Sequence, residues 1–151
     1  NFGYEWRSND NEFDSQGRAY DNRDTWVAAT KLNYYATSTT TLSLALIRAL
    51  RDTGSDTFQY YTDTGIRLGL AQVFYSRFTL TADIGYSLYD YNFPTDPTKE
   101  ADNYLGSLGL SYKIWDWLNA GVAYTYLKQD SNYPEDDYKD NRFSVSLRAV
   151  Y

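Results

Sequence analysis

The strongest constraint in this chain is a period of two that returns in segment after segment. Over 78–88 one parity reads Phe78, Leu80, Ala82, Ile84, Tyr86 and Leu88, and the other reads Thr79, Thr81, Asp83, Gly85 and Ser87. Apolar residues at every second position mark a strand with one apolar face, whereas a helix repeats them about every 3.6 residues. Segment 104–114 sets Tyr104, Leu108, Leu110, Tyr112 and Ile114 against Ser107, Gly109, Ser111 and Lys113. Segment 118–126 sets Leu118, Ala120, Val122, Tyr124 and Tyr126 against Asn119, Gly121, Ala123 and Thr125. At the carboxyl terminus Phe143, Val145, Leu147, Ala149 and Tyr151 oppose Ser144, Ser146, Arg148 and Val150. The first half repeats the pattern at 2–7, 26–35 and 66–74. Segment 41–51 alternates through Leu42, Leu44 and Leu46, but Arg48 then falls on the apolar parity. Either a bulge shifts the register after Leu46, or Arg48 snorkels at a boundary; the Leu-Ala rich run also has helix propensity.

Eight strands follow, and their connections alternate in size. Short ones lie near Thr37–Thr40, Tyr75–Arg77 and Trp115–Trp117; long ones lie near 9–24, 51–58, 90–102 and 128–140. The long segments carry −3, −1, −3 and −3, so the rest of the chain is +4 within an overall −6. Short turns at one end and long acidic loops at the other are the plan of an all-β, transmembrane, antiparallel up-and-down barrel. The mean hydropathy is −0.64, but that does not argue against a membrane. A spanning strand needs only about 9–11 residues, and its polar parity cancels its apolar one in any average. Residues 1–151 read as one such domain, and no charged, Leu-rich leader opens it, so it reads as a mature or trimmed chain. The quartet Tyr91-Asn92-Phe93-Pro94 returns forty positions later as Ser131-Asn132-Tyr133-Pro134, and Asp-Asn recurs at 21, 102 and 140. Either Asx residues cap the turns there, or the hairpins share ancestry.

Composition removes most chemistry. With no Cys and no His there is no disulfide, thiolate, imidazole base or imidazole-ligated metal. Asp/Glu pairs show no sign of a glycosidase cleft, so the chain is read as a non-enzyme without cofactor. A net charge of −6 gives nucleic acid no electrostatic footing. The 17 Tyr, 4 Trp and 7 Phe are the excess to explain. They gather at strand ends (Phe74 and Tyr75, Trp115 and Trp117, Tyr86, Tyr89 and Tyr91, Tyr124 and Tyr126), as interfacial girdles do.

Alternation alone does not say which face is wet; a soluble sandwich or lipocalin-like barrel would bury the apolar parity. The small polar residues of the other parity suit a crowded interior, and the girdles suit a membrane. The assignment is then Leu80, Ile84, Leu108, Leu110, Val122, Tyr124, Val145 and Leu147 towards lipid. The other parity carries Glu5, Arg7, Lys31, Arg67, Asp83, Lys113 and Arg148 as a lumen network with three positives in excess. If the first strand pairs with the last, the barrel closes at eight, Glu5 and Arg7 lie beside Ser146 and Arg148, and side chains fill the lumen. In a wider barrel the same residues line a cationic channel with Arg51 and Arg142 at its mouth. Of the acidic loops, Glu135, Asp136, Asp137 and Asp140 could offer carboxylates to Ca²⁺, and Asp10, Glu12 and Asp14 have a faintly similar spacing, but Gly17 comes too late for a calcium loop. Solvated loops without a metal are the default reading.

The terminal strand, with Phe143, Val145, Leu147 and Tyr151 in phase, resembles the signal by which the bacterial barrel assembly machinery recognises its clients. The run from Trp117 to Tyr126, then Asp130-Ser131-Asn132, then Asp137 to Arg142 and the final strand resembles the putative β-barrel porin 2 family. That resemblance covers roughly the last 60 residues. It implies an outer-membrane barrel, associated with exopolysaccharide export, whose long loops are extracellular and whose termini are periplasmic. It implies outer-membrane lipid and lipopolysaccharide, the assembly machinery and polysaccharide as partners. Members of that family are longer, so the chain corresponds to a carboxyl-terminal part of a larger barrel or to a small relative. A closed barrel serving as anchor, adhesin or structural element is the alternative function.

Overall fold

The computed structural model describes residues 1–7, 23–53, 60–91 and 99–149, with the side chains of residues 6, 7, 23 and 24 excepted. Eight strands run in chain order: β1 (Phe2–Arg7), β2 (Arg23–Tyr35), β3 (Thr40–Asp52), β4 (Tyr60–Phe74), β5 (Phe78–Tyr91), β6 (Lys99–Trp115), β7 (Leu118–Ser131) and β8 (Tyr138–Ala149). One short 3₁₀ turn, Pro134–Asp136, lies between β7 and β8. Each strand pairs antiparallel with the next, giving a single up-and-down sheet in the order β1 to β8. No helix among the described residues is long and apolar enough to cross a membrane, which says nothing about strands.

Period two becomes two faces because paired residues share a side. Leu46 lies opposite Ile66, Ile66 opposite Tyr86 and Tyr86 opposite Tyr104, all on the apolar side. Ala45, Arg67, Gly85, Leu105 and Leu127 form the matching row on the polar side. The register runs unbroken through Arg48↔Thr64 to Asp52↔Tyr60, so β3 has neither the bulge after Leu46 nor a helix. Arg48 stays on the apolar face. Its guanidinium lies 4.7 Å from the Trp26 ring and donates to Thr64 Oγ1 at 2.7 Å, so the charge rests on polar and π partners at the edge of the apolar band. The register does shift between Lys113 and Trp115, where a bulge leads into the turn at Asp116 and Trp117.

The strands are longer than alternation suggested. β4 has 15 residues and β6 has 17, beyond the ~9–11 that cross hydrocarbon. The surplus lies at the long-loop end, where the apolar parity turns polar (Thr62, Thr64, Asp90, Glu100, Asp102). Asp102-Asn103 and Asp140-Asn141 therefore lie inside β6 and β8 rather than capping turns; Asp21-Asn22 lies outside the described residues.

At the opposite end, Tyr75 and Ser76 adopt φ of 49° and 56°, the mirror-image geometry that matches strand twist in a tight hairpin. Proline cannot reach that φ. Ser76→Pro is expected to lower unfolding free energy by more than about 1 kcal/mol in detergent denaturant titrations, whereas Ser76→Gly keeps the hairpin.

The sheet is not closed. Among the described residues β1 and β8 are its two edges, and the pairing that would set Glu5 and Arg7 beside Ser146 and Arg148 is not formed. Nor, among the described residues, does a second layer cover the apolar side. The buried apolar residues among those described are Leu50, Tyr60 and Ala101. Ile84, Leu108, Leu110, Val122, Tyr124, Val145 and Leu147 are exposed, with Val145 at 74%, and Leu80 is half-buried. A soluble sandwich would have packed these into a core.

Candidate functional site: the polar face and its mouth

Residues from β3 to β8 line one cavity of about 310 Å³ on the polar side, among them Ile47, Gly65, Arg67, Asn103, Leu127 and Tyr138. Strands five apart in the order share that space, so the sheet curls around its polar face. Of the charged residues anticipated on that face, Arg67 and Asp83 form an ion pair and Lys113 pairs with a residue outside the set. Arg67 Nε donates to Asp83 Oδ1 at 3.2 Å, and Ser107 Oγ donates to Asp83 Oδ2 at 3.3 Å. Lys113 turns to Asp116 in the adjacent turn at 2.7 Å, holding that carboxyl below the usual range. Lys31 faces the same side opposite Ala45, and Arg148 lies opposite Asn119. Glu5 belongs to β1, as does Arg7, whose side chain is outside the described residues. Arg67 is 52% exposed, so its pair contributes at most about 1 kcal/mol.

Close approach shapes the floor between these groups. A Cβ on Gly69 would stand 2.4 Å from Ser43 Oγ and 2.9 Å from Asp83 Oδ1, and one on Gly65 would stand 2.3 Å from Ser87 Oγ. Gly69 thus keeps room for Asp83 to meet Arg67.

Beside Arg51, the mouth at the long-loop end contains residues that sequence reading left out or placed otherwise. Arg51, Tyr61, Tyr91 and Lys99 form one row across β3 to β6 on the polar side. Arg51 Nε donates to Asp63 Oδ2 at 2.9 Å, and Asp63 is buried. The Tyr61 ring lies 4.8 Å from Tyr89 and 5.0 Å from Tyr91 between centroids. Tyr89 and Tyr91 are therefore mouth residues rather than girdle residues. Burial is the main cause that pushes the Tyr91 phenol up to about 12, so it is a neutral hydrogen-bonding ring. Lys99 is 7% exposed, ion-paired to Asp136, with its ammonium 5.0 Å from the Tyr91 ring and 5.7 Å from that of Tyr133.

The segment after β7 is pinned against this row. Gln129 donates to the Asp136 carbonyl at 2.9 Å, the Ser131 amide to Asp137 Oδ1 at 2.6 Å, and the Glu100 amide to Asn132 Oδ1 at 3.0 Å. Arg142 donates to Asp140 at 2.6 Å. Asp136, Asp137 and Asp140 thus serve as partners of protein groups, and among the described residues no cluster has a metal-ligand arrangement. Asp10, Glu12, Asp14 and Gly17 lie outside the described residues.

The apolar side carries two aromatic belts. Phe78–Tyr112 (4.6 Å) and Trp115–Trp117 (5.4 Å) lie at the short-turn end, and Tyr86–Tyr104 (5.5 Å) at the other. Phe143, Val145 and Leu147 continue the band along β8, while Tyr151 lies outside the described residues.

An antiparallel meander with one bare apolar face and one concave polar face is the wall of a β-barrel. The chain belongs to the putative β-barrel porin 2 family, whose profile matches residues 2–151. The match takes in the amino-terminal strands as well as the last 60 residues that carried the resemblance in sequence. No curated protein and no solved structure matches the chain. Membership in a porin-like barrel family points to a membrane protein that is not an enzyme.

Proposed function

We propose that the chain is the wall of an outer-membrane, porin-like conduit with its apolar face in lipid and its polar face lining water. The observation that carries this is the near absence of a core. A chain that is 42% hydrophobic buries three apolar residues among those described and leaves the apolar side of its sheet bare. Monomeric soluble proteins do not expose patches of that extent, and lipid is the solvent that fits. Lipid also forbids open edges, so the two edge strands β1 and β8 are paired in the membrane. The long loops then face outward and the short turns the periplasm, lipopolysaccharide meets the outer leaflet, and the terminal strand is read by the barrel assembly machinery. Exopolysaccharide export, which the family resemblance suggests, is the finer assignment.

The test is conductance. Refolded protein inserted in planar bilayers is expected to give discrete steps and to let small sugars swell proteoliposomes. Folded, inserted protein that stays silent in both assays overturns the conduit reading and favours an anchor or adhesin.

A further inference from the structure

We propose that the tyrosine-roofed cavity on the polar face is a binding subsite for uncharged sugar rings. The inference deepens the conduit reading and rests on it only for access of solute to that face. Its size, about 310 Å³, is at the lower end for small-molecule sites. Its make-up matches a pyranose, which offers C–H groups on its faces and hydroxyls around its rim. Tyr89 and Tyr138 supply ring surfaces, Leu105 and Leu127 an apolar wall, and Arg67 and Asn103 the polar groups at the side. Gly65 lines the same space and keeps its floor open.

Charge decides the class of sugar. The cations around the cavity and mouth are already met by carboxylates: Arg67 by Asp83, Arg51 by Asp63, Lys99 by Asp136 and Arg142 by Asp140. An anionic sugar would have to displace these carboxylates and then lie beside them. A neutral ring meets only dipoles and π faces, and the paired groups remain available as hydrogen-bond donors and acceptors. Lys128, which also lines the cavity, is met by Asp130, so the cations that reach the cavity do not make it an anion site.

Equilibrium binding to refolded protein in micelles tests this without any channel assay. The probes are neutral gluco-, galacto- and manno-oligosaccharides, oligogalacturonate as the anionic counterpart, and polyethylene glycol of similar mass as a ringless one. At least one neutral series is expected to bind, with affinity unchanged between low and high salt. Tyr89→Ala and Tyr138→Ala should each weaken it about fivefold, Tyr138→Phe should preserve it, and Gly65→Leu should abolish it. Arg77→Gln, in the short turn at the opposite end of the strands, should leave it unchanged. If an alanine variant does not fold, Tyr89→Leu removes the ring while keeping bulk. Tighter, salt-sensitive binding of oligogalacturonate, equal binding of the glycol, no binding of any neutral series, or indifference to the tyrosine substitutions overturns the proposal. Conductance without sugar binding sinks the subsite alone; binding without conductance sinks the conduit alone.

Discussion

Leu108→Arg is expected to cost the folded, membrane-inserted protein about 2–4 kcal/mol. Leu108 stands midway along β6 on the apolar face and is 55% exposed, between Ala82 of β5 and Tyr124 of β7. In hydrocarbon a guanidinium there loses its hydration and finds no partner, because its neighbours on that face are apolar. The adjacent position is the control. Ser107 points to the polar side and reaches Asp83, so Ser107→Arg gains a carboxylate neighbour and access to water. It should cost less than about 1 kcal/mol. Reversible urea unfolding of both variants in lipid vesicles gives the difference, and equal costs would remove the assignment of faces.

A second large effect is expected at the mouth. Lys99→Leu removes the ammonium that pairs with Asp136 and lies against Tyr91 and Tyr133, in a position only 7% exposed. The loss should be about 1–3 kcal/mol, because a half-buried carboxylate loses its charged donor. It should also be local. The Asn132–Asp137 segment is held by Lys99 together with the Ser131, Gln129 and Glu100 hydrogen bonds. Amide exchange there should quicken while the β5–β6 ladder stays protected. Quickening spread over the whole sheet would contradict a local clamp.

The fold was legible where the two faces differ in solvent and illegible where they do not. Between Leu42 and Leu46, or Leu80 and Tyr86, every second residue contrasts with its neighbour, and each assigned segment, as far as it is described, lies in a strand. Towards the long-loop end Thr62, Thr64, Asp90 and Asp102 occupy the apolar parity. Both faces are polar there, alternation vanishes, and yet the backbone ladder continues. Tyr61, Asp63, Tyr89, Tyr91 and Lys99 thus fell in segments read as loop or strand margin, although their spacing of two in β4 and β5 was the signal that could have found them. Charge pairing failed for a related reason. The excess of three positives was counted on residues of assigned strands; Lys113 finds its carboxylate, Asp116, in a turn outside the count, and the further pairs of Arg51, Lys99 and Arg142 with Asp63, Asp136 and Asp140 lie near strand ends. Arg48 was legible as an exception but not as to cause; only the register separates a snorkelling arginine from a bulge. Closure was not legible, because the pattern of a strand is the same whatever number of neighbours completes the barrel.

The absence of native cysteine allows the most direct test of the account, a single-cysteine scan of residues 106–112 in β6. Each variant is labelled with a small fluorophore and reconstituted in vesicles, then exposed in turn to brominated lipid and to aqueous iodide. Lipid quenching is predicted at 106, 108, 110 and 112 and iodide quenching at 107, 109 and 111, in strict alternation. Quenching by iodide alone at every position, or the opposite parity, would contradict a membrane wall with its polar face inward.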